Sequence, residues 1–262
     1  MQTAALLWHL RELSDQPIVV SGIGLARFLP ILLLAPFGGV LADTRNRRQI
    51  LFITQTTMMA TAAALGVLTV TGQIQIWHIY LLTGLQATAL AFDLPARQSL
   101  VPNLVPREVL PSAYGMQSIA SNTGAIAGPA LSGLVIGYLG QEYAYWINAV
   151  SFLAVLIALL LMGTIPQQKS VVVEGLRGSL RSIREGAQFI LGHPIILSSM
   201  ILDFIATFFS SANTLLPFVA RDVLGVNEVA YGWLVAAQSI GAVMVGLVFS
   251  QRSRVQRQGQ LL

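Results

Sequence analysis

Seven long apolar stretches divide this sequence, and their lengths constrain its fold more than any other feature. A helix rises about 1.5 Å per residue, so about 20 apolar residues cross the roughly 30 Å hydrocarbon core of a bilayer. The seven stretches run approximately over residues 18–42, 50–71, 76–96, 113–139, 143–163, 195–219 and 229–250. Only 10% of the residues are charged, against roughly a quarter in soluble domains. The sequence excludes a water-soluble globule and predicts an all-α, multi-pass transmembrane helix bundle.

Residues 1–13 predict part of one more helix. They are apolar over about half a span and end in a polar run that begins at Arg11. A cleavable signal peptide does not fit, because the segment has no basic start and no small-residue cleavage site before the next span. We therefore expect the tail of a helix whose beginning is absent.

Basic residues mark one set of alternate loops, as is typical of the cytoplasmic loops of membrane proteins. The opposite set holds only Arg11 and Arg221, and Arg27 lies within a span. The remaining twelve are Arg45, Arg47, Arg48, Arg97, Arg107, Lys169, Arg177, Arg181, Arg184, Arg252, Arg254 and Arg257. We therefore expect loops 44–48, 97–112, 164–193 and 251–258 to be cytoplasmic and the protein to lie in the inner cell membrane. The net charge of +4 then reflects topology, and no nucleic-acid partner is expected.

The longest polar interval, residues 164–193, predicts a connection between two groups of spans. Its apolar residues recur at helical spacing opposite arginines, which favours an amphipathic cytoplasmic helix. A disordered linker is the alternative, because Gly175, Gly178 and Gly186 are costly within a helix. The predicted organisation is an N-terminal transmembrane bundle over 1–163, this linker, and the start of a C-terminal transmembrane bundle over 194–262.

Two segments carry motif-like patterns. Gly39, Asp43, Arg47 and Arg48 lie where the chain leaves and re-enters the membrane. A carboxylate at such a point can face an arginine or a helix N-terminus, although an ordinary basic loop would also explain the arginines.

In the span 113–139, small residues and a proline predict close helix contact and a kink. They are Gly115, Gly124, Gly128, Pro129 and Gly133. Packing alone is the alternative explanation for this second pattern.

These patterns resemble motifs of the major facilitator superfamily. The first is similar to its cytoplasmic signature G-x-L-A-D-R-x-G-R-K, with Thr44 and Asn46 as departures, and the second to its antiporter motif, with Ser132 in place of a glycine. Residues 24–30, 95–98 and 104–108 resemble a narrower group, the third drug:proton antiporter family or transmembrane secretion effectors, which includes macrolide and siderophore exporters. The resemblance implies a conformational latch formed by Gly39, Asp43, Arg47 and Arg48, and a proton-coupled exporter of small amphipathic compounds.

An internal repeat agrees with this family. The spacing from Gly39 to Arg47 is echoed from Gly246 to Arg254, with Ser250 in place of the aspartate. Parallel halves related by duplication would produce such an echo, although chance is an alternative. With the repeat, the chain corresponds to part of helix 1 and helices 2–8 of a twelve-helix plan, truncated at both ends.

Polar residues inside predicted spans are candidates for a substrate or proton pathway, because burying them in a membrane is expensive. In the sixth span, Ser199, Asp203 and Thr207 share a face that we expect to line a water-filled cavity. In the alternative interpretation, the hydroxyls bond back to carbonyls of their own helix and Asp203 forms a salt bridge with a neighbour. Among the earlier spans the candidates are Arg27, Gln86, Asp93 and Arg97. Asp93 is either a proton site or a structural partner of Arg97 or Arg27, and the structural option is favoured.

No pattern predicts enzymatic chemistry, a cofactor, a metal site or ATP binding. The histidines are scattered, and there is no cysteine. We therefore expect a secondary transporter whose partners are the lipid bilayer, a small-molecule substrate and protons, and whose full-length parent is monomeric. The alternatives are a non-transporting fragment or membrane assembly partner and, with less support, a membrane enzyme.

Overall fold

The computed structural model describes residues 1–163, 188–210 and 214–250. The predicted linker helix lies almost entirely outside these residues, and so does the predicted loop 251–258. Eight principal helices follow one another along the described chain. They are α1 (Gln2–Leu13), α2 (Pro17–Thr44), α3 (Arg47–Val70), α4 (Ile76–Leu104), α5 (Leu110–Leu139), α6 (Gln141–Leu161), α7 (Pro194–Ser210) and α8 (Glu228–Ser250). The all-α prediction is confirmed.

Local chemistry explains several helix ends. Pro17 occupies the first turn of α2, where its missing N–H costs nothing. The Asn46 side chain accepts hydrogen bonds from the backbone of Arg48 and Gln49 and so caps α3. Gly140 has a φ of 109° and joins α5 directly to α6, a backbone conformation that suits glycine best.

In the part of the chain that the structure describes, five helices are long and apolar enough to cross a membrane. They are α2, α3, α4, α6 and the segment Arg107–Leu139, which consists of a 3-10 turn and α5. α4 continues through Pro95 to Leu104, so the cytoplasmic loop predicted over 97–112 is shorter than expected. The predicted span 195–219 is also divided, since α7 ends at Ser210 and a short helix, Leu216–Phe218, follows. Pro217 lies in the first turn of that short helix. Proline has no backbone N–H, so it could not donate the hydrogen bond that an unbroken helix would need at this position.

The helices pack around α1, which contacts α2, α4, α5, α6 and α8. α2 packs on α4, α3 packs on α4 and α6, and α5 packs on α8. We call the end of the bundle that carries Arg11 the outer end, after the predicted orientation, and the opposite end the inner end. We call α1–α6 the first group of helices and residues 194–250 the second group.

Two apolar clusters lie at opposite ends of the bundle. The outer cluster joins both groups and includes Trp8, Leu10, Tyr145 and Tyr231, each buried. The inner cluster is built from Ala42, Ile50, Leu51, Ala96, Leu100 and Leu159, all in the first group. Within the described residues, apolar packing between the two groups is therefore concentrated at the outer end.

Candidate functional site

The two groups of helices approach each other closely where α5 crosses α8. A Cβ atom at Gly133 would lie 2.6 Å from the carbonyl oxygen of Glu228 and 2.8 Å from Cα of Gly232. A Cβ at Gly232 would likewise lie 2.8 Å from the carbonyl oxygen of Pro129. These distances are too short for any side chain, so both helices require glycine here.

The predicted antiporter motif is divided by this packing. Pro129 and Gly133 lie at the α8 crossing, and a Cβ at Gly128 would lie 3.0 Å from the backbone nitrogen of Met1. At Gly115 and Gly124 an added Cβ would meet no described atom within 4 Å. Among the described residues α5 contacts its neighbours mainly in its outer half, so close helix contact at Gly124 stays a prediction.

An ion pair at the outer end joins the two groups. Arg11 of α1 donates to Asp222 from Nη2, at 2.7 and 3.0 Å, and from Nε, at 3.3 Å. Asp222 belongs to the π-helical turn Val219–Val223, and the Arg11 guanidinium lies 4.6 Å from the ring centroid of Phe218. Arg11 also pairs with Asp15 of its own group.

Sequence reasoning missed this pair. It used Arg11 only as a topology marker, although Arg11 and Arg221 were the two basic residues assigned to the outer side. Their scarcity there was the available signal, since a charged guanidinium at the membrane boundary is stabilised by a carboxylate partner.

Aromatic residues pack beneath the ion pair. The rings of Trp8 and Tyr231 lie 5.1 Å apart, and the Tyr231 hydroxyl donates to the carbonyl oxygen of Ala4 at 3.4 Å. Behind them, His9 Nδ1 lies 3.0 Å from the Tyr145 hydroxyl in a buried hydrogen bond. The outer end is closed by side chains from both groups.

A cavity of about 190 Å³ lies on the inner side of this closure. Its apolar wall consists of Leu6, Leu7, Ile23 and Gly24, and its polar wall of Thr3, Arg27, Thr83, Gln86 and Thr214. Arg27 Nη1 donates to Thr3 Oγ1 at 3.2 Å. The structure thus brings together Arg27 and Gln86, two of the predicted pathway residues.

Gln86 belongs to an amide cluster at the edge of the cavity. The side-chain amides of Gln86 and Gln2 exchange two hydrogen bonds, each of 3.1 Å. Asn148 of α6 also donates to the Gln2 oxygen. The cluster ties α1, α4 and α6 together and occupies the hydrogen-bonding groups of Gln86.

The other two candidates in the first group, Asp93 and Arg97, form a separate site. The Asp93 carboxylate is buried and accepts from Thr54 at 2.9 Å and from Gln55 at 2.7 Å. Arg97 donates to its second oxygen at 3.0 and 3.1 Å. This is the geometry of the structural alternative, with Arg97 and not Arg27 as the partner.

The predicted latch residues have different surroundings. Asp43 is exposed, whereas Arg47 is buried and donates to the Ala42 carbonyl at 3.0 Å. Arg48 donates to the carbonyl oxygens of Leu159, Leu160 and Gly163 at 2.6–3.0 Å. Arg48 therefore caps the C-terminus of α6 within the first group.

Gly38, next to the predicted Gly39, is the glycine that this segment needs for close packing. A Cβ at Gly38 would clash with the carbonyl oxygen of Ala91, whereas one at Gly39 would meet no described atom within 4 Å. The periodicity of α2 places the two glycines on different faces, and only one of these faces packs on α4.

The remaining three pathway candidates lie in α7. Ser199 is exposed and donates to the Ile196 carbonyl at 2.9 Å, and Asp203 is exposed. The Thr207 side chain lies outside what the structure describes. That Ser199, Asp203 and Thr207 line a pathway stays a prediction, while Thr214, which follows α7 in the chain, lies in the cavity wall.

Comparison with known proteins identifies the family. Residues 1–262 match a family described as transmembrane secretion effector. The chain belongs to this transmembrane secretion effector family. The resemblance seen in the motifs is thereby confirmed.

Several curated relatives are similar over most of the chain. An MFS-type transporter of Bacillus subtilis, YfiS, is 26% identical over 243 residues, which are 92% of this chain and 57% of the relative. The multidrug efflux pump Tap of Mycolicibacterium fortuitum is 26% identical, with 95% and 62% covered. The staphyloferrin A transporter of Staphylococcus aureus is 26% identical, with 93% and 61% covered. The chain thus spans about three fifths of their length, and these relatives are transporters rather than enzymes.

Proposed function

We propose that this chain takes part in the export of a small amphipathic compound by alternating access. The observation that carries the proposal is the cavity lined by helices of the first group and by Thr214 of the second, closed on its outer side by Arg11–Asp222 and by the α5–α8 crossing. A closed outer end above a polar cavity is the arrangement expected of a transporter whose inner side loads cargo. The drug and siderophore transporters among the relatives support the same function.

The proposal includes the organisation and placement of the chain. Residues 1–163 form the first transmembrane bundle, 164–193 the cytoplasmic connection, and 194–262 the beginning of the second bundle. The protein lies in the inner cell membrane as a monomer, with Arg45 and its neighbours on the cytoplasmic side. Asp43 is exposed at the inner end, so its carboxylate is available to latch the inner ends of the two groups when they approach.

Proton coupling is also part of the proposal, and Asp203 is its candidate carrier. Asp93 is less suited, because its two carboxylate oxygens already accept four hydrogen bonds within the first group. Asp203→Asn should therefore remove acceleration of export by a pH gradient and leave cargo binding intact. Unchanged dependence on the gradient would assign the proton to another group.

Dye efflux from bacteria that lack their own exporters tests the proposal. Cells with and without the chain are loaded with fluorescein or ethidium, and dye loss is followed after energisation. We expect faster loss of at least one dye when the chain is present, and inhibition by a protonophore. If cells with and without the chain lose each dye at the same rate, the result would contradict export by this chain and support the non-transporting alternative.

A further inference from the structure

Arg27 differs from Arg11 and Arg97 in having no carboxylate partner among the described residues. Arg11 pairs with Asp222 and Asp15, and Arg97 pairs with Asp93. The guanidinium of Arg27 makes one hydrogen bond among the described residues, to the neutral hydroxyl of Thr3. Among the described residues that line the cavity facing Arg27, none is acidic.

An unpaired cation at this depth requires an explanation. Arg27 lies within α2 (Pro17–Thr44), a helix long and apolar enough to cross a membrane. A charged side chain there is expensive and is usually retained because it binds a substrate, an ion or a partner charge. The partner charge is missing from the cavity wall, so an anion that enters the cavity would supply it.

Thr83 provides a second, independent indication. Its side chain is 2% exposed, lines the same cavity, and its hydroxyl oxygen has no hydrogen-bond partner in the described structure. A buried hydroxyl without a partner costs free energy, and natural proteins rarely leave one so. This hydroxyl can donate to an oxyanion held by Arg27.

The shape of the cavity suggests how much of a ligand it holds. Its volume of about 190 Å³ is smaller than the roughly 300–1,000 Å³ of sites that enclose a drug-sized molecule. Leu6, Leu7 and Ile23 form an apolar wall beside the polar groups. The cavity therefore suits the acidic group of a ligand together with one adjoining apolar ring or chain.

We propose that this cavity binds the oxyanion of a carboxylate-bearing amphipathic compound, with Arg27 as its charge partner and the Thr83 hydroxyl as a further donor. The inference rests on the proposed function, of which it names the substrate class. It assigns the exporter to organic acids and sets cationic compounds apart as poor ligands.

Three probes of nearly equal shape test the inference. Benzoate is anionic, benzamide neutral and benzamidine cationic, and the binding of each to the purified chain in phosphatidylcholine nanodiscs can be measured by ligand-observed NMR. We expect benzoate to bind at least tenfold more tightly than benzamide, and benzamidine more weakly still. Benzamidine binding as tightly as benzoate would overturn the inference, whatever the behaviour of the variants.

Matched variants locate the effect. Arg27→Gln should weaken benzoate binding about ten- to a hundredfold, the loss expected for hydrogen bonds to a charged group, while Arg27→Lys keeps the preference for the anion. Arg221→Gln removes the same charge from an exposed position in the outer turn and should leave binding unchanged. Thr83→Val should weaken benzoate several-fold with little change in shape. Unchanged benzoate binding in Arg27→Gln would also overturn the inference.

The test is separable from that of export, because it measures equilibrium binding without a gradient. Benzoate binding by a chain that exports neither dye contradicts the proposed function alone. Export without any preference for benzoate contradicts only the substrate class. Should Arg27→Gln fail to fold, the three probes on the unmodified chain and on Thr83→Val still decide.

Discussion

The Arg11–Asp222 pair should govern how long the outer end stays closed. Asp222→Asn keeps the size of the side chain but removes the charge that joins α1 to the π-helical turn. Asp15→Asn is a matched control, because Asp15 bonds the same guanidinium yet lies four residues away on the same group of helices. Only the first change weakens a contact between the groups.

The expected magnitude follows from burial. The Arg11 side chain is 10% exposed and that of Asp222 is 43% exposed, so the pair lies between two measured regimes. Fully exposed pairs are worth about 0.2–1 kcal/mol, and breaking a fully buried pair costs about 3–5 kcal/mol. We expect a loss of about 1–2 kcal/mol, which raises the ratio of outer-open to outer-closed molecules about 5- to 30-fold.

Pulsed electron spin resonance can measure this ratio. The chain has no native cysteine, so spin labels can be attached to cysteines introduced at Gln73 and Leu224, both exposed. These positions lie in the outer loop between α3 and α4 and beside the π-helical turn. Opening should appear as a longer-distance population in Asp222→Asn.

The control gives this experiment its discriminating power. Asp15→Asn should change the populations less than twofold, since its side chain is 93% exposed and its loss leaves the link to Asp222 intact. Equal effects of the two substitutions, or no effect of either, would refute the reasoning that the ion pair closes the outer end.

Three further outcomes are expected. Gly133→Ala should cost about 1–3 kcal/mol of stability through overpacking and so lower the thermal unfolding midpoint in detergent. Gly124→Ala in the same motif should be neutral, because an added methyl meets nothing described within 4 Å. Equal losses of stability in the two variants would contradict the close crossing at Gly133. Arg48→Gln should cost about 1–3 kcal/mol of stability, because three carbonyls at the end of α6 lose a charged donor; an unchanged midpoint would rule this cap out. An impermeant maleimide added outside intact cells should label a cysteine at Gln73 and not one at Arg45, and the reverse pattern would invert the topology.

The family and helix order could be predicted from the sequence because both depend on local, periodic information. A run of about 20 apolar residues must form a helix in a bilayer, since every backbone polar group needs an internal partner there. The boundaries were less predictable where proline occurs. α4 continues past Pro95 to Leu104, whereas the span containing Pro217 is divided, and the difference depends on neighbouring helices that no single segment specifies.

The candidate site was predicted only in part, for the same reason. In the sequence, Arg27 and Asp93 are both charged residues within predicted spans, and an ion pair between them was one of the alternatives. In the structure, the Asp93 carboxylate accepts hydrogen bonds from Arg97, Thr54 and Gln55. It leaves Arg27 facing a cavity whose other walls come from distant segments.

The sequence by itself determined that the chain is a membrane bundle with a basic inner side, because hydropathy and charge act at the level of single segments. The tertiary structure decided which glycines are needed, that Arg27 has no carboxylate partner among the described residues, and that Arg11 meets Asp222 across 211 residues. Such pairings depend on how helices cross and rotate about their axes. Successive residues of an α-helix are rotated by about 100° about the helix axis. A helix turned by one residue would therefore contact different partners with every side chain, although the composition and the apolar pattern of its span would be unchanged.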